Sequence, residues 1–202
     1  MITLVLVGDV DDALLESLRA SLEEIFGQKT LISDKIQLPK EGWHRDRGQY
    51  LASPILAALT PPSSSADRVL GVVNVDLFAQ GLNFVFGQAD ATGRRAVISL
   101  YRLRQEFYGL PHDEVIFHQR TLKEAVHELG HTYGLGHCPN PACIMHFSNT
   151  LSDTDFKGSN FCSKCLMEIK KEMKLPKAKV GCRGFAPGMN NYFKRFKLAE
   201  VQ

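Results

Sequence analysis

The stretch His127-Glu128-Leu129-Gly130-His131-Thr132-Tyr133-Gly134-Leu135-Gly136-His137-Cys138 decides how this chain is read. Its first half lies in a run where Leu122, Val126, Leu129 and Tyr133 recur on one helix face, which predicts a helix over about residues 114–135. Residues four apart on a helix are neighbours, about 6 Å apart, so His127 and His131 can share one metal ion without bending the backbone. Glu128 is turned about 100° from His127, which lets it reach a water beside the metal and not the metal itself. A straight helix would carry His137 off the shared face. Gly134 tolerates φ > 0 and so permits a sharp turn that returns His137 as a third ligand. Three histidines leave one tetrahedral position open, the mark of a catalytic and not a structural zinc site.

The cysteines adjoin this string. None precedes residue 138; Cys138, Cys143, Cys162 and Cys165 follow closely, and Cys182 stands apart and reads as a free thiol. Four thiolates suit tetrahedral structural zinc, which would pin the loop after Cys138 and hold His137 and Met145 in place. The same four could ligate an iron–sulfur cluster or form two disulfides. In a chain without an export signal, metal is favoured over disulfide.

Working outward, 202 residues suffice for a single domain over 1–202. It divides into an N-terminal subdomain, 1–136, and a C-terminal one, 137–202. A 44% hydrophobic and 23% charged composition excludes a wholly disordered chain. No run approaches 18 apolar residues, which excludes a transmembrane helix. Residues 2–7 are apolar but short and lack a basic leader, so they read as a strand and not a signal peptide, and a cytoplasmic protein is expected. A helix over 11–26, a strand over 30–38, a helix over 46–59 that Pro54 kinks or begins, and strands over 69–75, 82–88 and 95–101 follow. The order predicts an α+β fold, a sheet with helices against it. A last helix is expected over 163–174. Residues 164–202 hold ten Lys/Arg against three Asp/Glu, a net of +7 that leaves −5 for the remainder. Such a segment is either a solvated basic surface or a contact for an acidic partner.

The string His-Glu-x-x-His-x-x-Gly-x-x-His is the signature of the metzincin zinc peptidases. With His137-Cys138, four residues, Cys143-Ile144-Met145, sixteen residues and Cys162-Ser163-Lys164-Cys165, the chain resembles the archaemetzincin family. The last spacer is one residue shorter than the family's usual pattern. Residues 76–87 are similar to the family as well, though less specifically. The resemblance implies a zincin/metzincin-like fold: a twisted mixed sheet with an antiparallel edge strand over the cleft, an active-site helix carrying His127 and His131, and a small zinc-stapled C-terminal subdomain. It implies that Met145 forms a tight turn under the histidines. It also implies that residues 82–88 pair with an extended peptide, through Asn83, Phe84, Val85, Phe86 and Gly87; a plain sheet strand is the alternative. The expected activity is peptide-bond hydrolysis by Glu128-assisted attack of zinc-bound water, with two Zn2+ per chain, one catalytic and one structural. A peptide or protein substrate and a monomer are expected, without membrane or nucleic-acid partners. Two other readings stand beside it. One is a peptide-binding zinc protein with little or no turnover. The other is a nucleic-acid-binding zinc protein, which leaves the three histidines unexplained. The tail over 176–202, with Phe185, Tyr192, Phe193 and Phe196, could occlude the cleft.

Overall fold

A computed structural model describes residues 1–60 and 67–173. The tail reading, Cys182 and most of the basic segment lie outside the described residues. In chain order the elements are β1 (Ile2–Val7), α1 (Asp12–Phe26), β2 (Thr30–Ile32), β3 (Trp43–His44), β4 (Gln49–Leu51), α2 (Ala52–Ala58), β5 (Arg68–Val73), β6 (Leu77–Phe78), β7 (Gly87–Asp90), β8 (Arg95–Ser99), α3 (Glu114–Thr132), α4 (Leu151–Phe156) and α5 (Ser163–Glu172).

The main sheet has the order β2-β1-β5-β8-β7. Its first four strands are parallel, and β7 runs antiparallel on the edge. Both faces are covered, and the strands sort their side chains by the two-residue period. Leu4 and Leu6 of β1, Leu70 and Val72 of β5, and Ala96 and Ile98 of β8 pack with α1 and α3. The intervening Val5, Val7, Val69, Val73 and Val97 pack with Ala52, Ile55 and Leu56 of α2. Cys138, Cys143, Ile144, Met145, Cys165 and Ile169 belong to the same cluster as the α1 and α3 face, so one hydrophobic core runs from the sheet into the cysteine region. No helix among the described residues is long and apolar enough to cross a membrane.

This is the mixed α/β architecture with an antiparallel edge strand that the sequence implies, but several boundaries move. The strand expected over 30–38 ends at Ile32, where Ser33 and Asp34 introduce local polar bonding and only Ile36 rejoins the sheet, by a bridge to Val7. The helix expected over 46–59 begins at Ala52. Pro54 occupies its first turn, where a missing N–H costs nothing, and the residues before it form the β3–β4 hairpin. The strand expected over 82–88 is a correction: the edge strand is Gly87–Asp90. Residues 82–86 are held otherwise, because the carbonyls of Leu82 and Asn83 accept from Arg47 and that of Asn83 also from Gln49. Helices α3 and α5 end at Thr132 and Glu172, two to three residues before the periodicity suggests. Helix α4 has no counterpart in the sequence reading. Thr150 and Asp153 cap its N-terminus reciprocally.

Candidate metal centres and cleft

Asp113 starts α3 by accepting from the Ile116 N–H, and the helix then carries His127, Glu128 and His131 into the interior. It stops as the sequence anticipates. Gly134 adopts φ 83°, its N–H donates to the His131 carbonyl, and the Leu135 N–H donates to the Gly130 carbonyl. This is a Schellman termination, and it folds the chain back so that His137 joins the other two imidazoles.

The ligand nitrogens of His127, His131 and His137 all lie within 4.8 Å of one another. Two of the rings are oriented by carbonyls. The His127 Nδ1 bonds the Ile144 carbonyl at 2.9 Å and the His131 Nδ1 bonds the Leu135 carbonyl at 2.7 Å. A carbonyl only accepts, so each Nδ1 carries the proton and each Nε2 presents a lone pair. Those two Nε2 atoms are 3.1 Å apart. Two lone pairs facing each other at that distance call for a cation between them, and zinc bonds of about 2.0–2.1 Å to tetrahedral nitrogens would set them about 3.3 Å apart. Burial pushes the His127 imidazole down to about 2, so it stays neutral and keeps a lone pair to offer. His137 is exposed and packs on Phe147, with ring centres 4.8 Å apart.

The four cysteine sulfurs likewise lie within 4.8 Å of one another. Cys138 Sγ and Cys162 Sγ are 3.8 Å apart, the edge expected of a tetrahedron with metal–sulfur bonds of about 2.3 Å. A multi-iron cluster spreads its thiolates over several metal atoms and does not fit so tight a set. Cys162 occupies the N-cap position of α5, and the N–H of Cys165, foremost, lowers its thiol to about 7, whereas burial raises those of Cys143 and Cys165.

The two centres share a turn. His146 N–H closes it onto the Cys143 carbonyl, and Cys138 N–H donates to the Met145 carbonyl at 2.8 Å. Met145 is fully buried there, and a Cβ added at Gly130 would stand 2.4 Å from its sulfur. Its thioether thus packs on the helix turn separating His127 from His131. His146 bonds the Cys138 carbonyl and is no member of either ligand set.

Glu128 is 7% exposed and lines a cavity of about 900 Å³ together with His127, His131 and His137. Burial, with the neighbouring Glu124 carboxylate, pushes its acid up to about 8, against the pull of Lys157. A divalent ion beside it acts in the opposite direction. The opposite wall is β7, whose backbone comes very close: a Cβ at Gly87 would lie 2.6 Å from Glu128 Cγ and 2.8 Å from the Val97 carbonyl. Asn83, Phe84, Val85, Phe86 and Gly87 all line the cavity, although only Gly87 is in the strand.

Several residues that support this wall carry no signal in the sequence reading. Asp76 accepts from Arg102 Nε and Nη2 at 2.6 and 2.7 Å, and Gln49 donates to both Asp76 and the Asn83 carbonyl. The Arg102 guanidinium lies over Phe84, 4.4 Å from the ring centre. Arg47 and Gln49 fall in the stretch read as helix, so their reach of more than thirty residues could not be seen; Asp76 alone lies in a segment already singled out.

Residues 7–171 match the profile of peptidase family M54. Among curated proteins, the chain is 46% identical over 164 residues to archaemetzincin of Methanocaldococcus jannaschii, covering 81% of this chain and 89% of that one. It is 44% identical over 180 residues to archaemetzincin of Pyrococcus abyssi, covering 86% and 96%. The crystal structure of archaemetzincin from Methanopyrus kandleri superposes with a TM-score of 0.76 at 37% identity, covering 87% of this chain and 96% of that one.

Proposed function

The chain belongs to peptidase family M54 and is a zinc metallopeptidase, and from that premise we propose that it hydrolyses peptide bonds as one catalytic domain, with Glu128 as general base, His127, His131 and His137 holding a catalytic zinc ion, and Cys138, Cys143, Cys162 and Cys165 holding a structural one. The observation that carries the reading is the pair of Nε2 lone pairs 3.1 Å apart with a buried carboxylate beside them on one cavity wall. Bound zinc supplies a lowered water pKa and polarisation of the scissile carbonyl. The chain's own groups do the rest. Glu128 accepts the proton of the attacking water and returns it to the leaving amine. The Ile144 and Leu135 carbonyls hold two imidazoles in the tautomer that ligates.

The edge strand suits an extended substrate. Phe86 accepts from the Ser99 N–H, and hydrogen-bonded pairs alternate along an antiparallel ladder, so Gln88 and Asp90 also bond inward while Gly87 and Ala89 turn their N–H and C=O groups out. A peptide strand added there pairs with Gly87 and Ala89, while Asn83 to Phe86 shape the wall.

The test is metal content with peptide turnover. Two zinc ions per chain and cleavage of a random peptide library support the proposal. Peptide binding without cleavage at full zinc loading would leave only a binding protein. A second measurement addresses the wall. Gly87→Ala is expected to keep both metals but lose about 10²-fold in kcat/KM, since an ångström's misplacement of a catalytic group costs about that much. Undiminished turnover in Gly87→Ala would remove Glu128 from its assigned place.

A further inference from the structure

We infer that Glu124 forms the polar floor of a subsite for a basic substrate side chain, Lys or Arg, next to the scissile bond. The inference rests on the peptidase reading above. Glu124 lies three residues before His127 and four before Glu128, so it stands one helical turn from both on the same face of α3 and lines the same cavity. It is 3% exposed and belongs to a built network. Thr154 Oγ1 donates to Glu124 Oε1 at 3.1 Å and Lys157 Nζ donates to the same oxygen at 2.8 Å. The Lys157 side chain is fully buried behind it and is not among the cavity's lining residues. Both bonds end on Oε1, and Oε2 takes neither.

The lining carries a second polar demand. The Ser148 hydroxyl, at the cavity wall, is buried with no hydrogen-bond partner among the described residues. No Lys or Arg is among the described lining residues, whereas the carboxylates of Glu124 and Glu128 both are. Glu124 and Ser148 in the lining, with Leu82, Phe84 and Val85 as apolar neighbours beside the polar Asn83, Gln88, Asn149 and Thr150, suit a long side chain with an apolar stem and a donating, positively charged head. An aliphatic side chain there would offer no donor to Glu124 Oε2 and no partner to the Ser148 hydroxyl. Glu in the same place would set its carboxylate against Glu128 and beside Glu124, whose one oxygen already accepts from Lys157.

The experiment uses the zinc-loaded chain and peptides cut by it, with the cleaved bond located by mass spectrometry. Three peptides then differ only at the residue next to that bond: Lys, Met or Glu. Lys is expected to exceed Met by about tenfold or more in kcat/KM and to bind a Glu128→Gln protein more tightly by a similar factor, with Glu weakest. Glu124→Gln alone strands a buried ammonium, so the second variant is Glu124→Leu/Lys157→Met, which replaces the pair by apolar groups of similar volume. It is expected to melt near the wild type and to lose the preference for Lys. Met equal to Lys in the wild type overturns the inference, and so does a Lys preference that survives in the double variant. Both outcomes leave the peptidase reading standing. A Glu128→Gln protein that binds none of the peptides, with a wild type that cuts none, overturns the inference together with that reading.

Discussion

Glu128→Gln is expected to lower kcat by between about 10² and 10⁴, the range that a positioned general base supplies, while leaving both zinc ions bound and peptide affinity little changed. The substitution keeps the volume of the side chain, so the close fit against Gly87 and the Val97 carbonyl survives. What disappears is the ability to take a proton. The three nitrogens grouped to hold a metal ion come from His127, His131 and His137, and Glu128 is outside that group, so metal content should hold. The carboxylate is also tuned. Burial and Glu124 raise its pKa to about 8, and without a counter-charge it would be mostly protonated at neutral pH and useless as a base. It stands there even against the pull of Lys157, so the counter-charge it needs is an ion held one residue away on the helix. A loss of turnover accompanied by loss of zinc would show that Glu128 acts on the metal and not on the proton. Unchanged turnover with full zinc would end its role as base.

The centre of the molecule was legible in the sequence because its determinants are local. Two histidines four apart need only a helix, and Gly134 needs only its own φ, so the helix, its Schellman end and the return of His137 follow from twelve consecutive residues. The cysteine set was legible from spacing, which favours a metal site over two disulfides in four clustered thiols. The upper wall was not. Residues 82–86 alternate like a strand, yet their carbonyls are engaged by Arg47 and Gln49, which sit more than thirty residues away on a hairpin whose composition suggests a helix. Local pattern competes there with distant side-chain bonds, and the bonds prevail. The Glu124–Lys157 pair was invisible for the same reason: thirty-three residues separate two charges that carry no local signal until the fold buries them together.

Cys162→Ser/Cys165→Ser is expected to halve the zinc content, lower the melting temperature and weaken metal binding at the histidines, although neither cysteine touches them. The stability change follows from linkage. Zinc at a thousand times its dissociation constant contributes about 4 kcal/mol to the folded state, which corresponds to about 8–16 °C in a domain of this size. The effect on the second site follows from the shared turn. Ile144 follows Cys143 of the cysteine group, donates its N–H to the Asn160 carbonyl just before Cys162, and uses its own carbonyl to orient His127 at 2.9 Å. His137 is tied in from the other side, because the next residue, Cys138, donates to the Met145 carbonyl. Releasing the thiolates therefore frees the backbone that positions two of the three imidazoles. Removing such an outer partner costs about 10- to 100-fold in metal affinity. That is the weakening expected in a zinc competition assay run below the variant's melting point. Cys182→Ser serves as the control and is expected to retain two ions and wild-type affinity. Two ions retained in the double variant would remove the cysteines as a metal site. One ion retained at undiminished affinity would instead sever the coupling through Ile144 and leave two independent centres in one core.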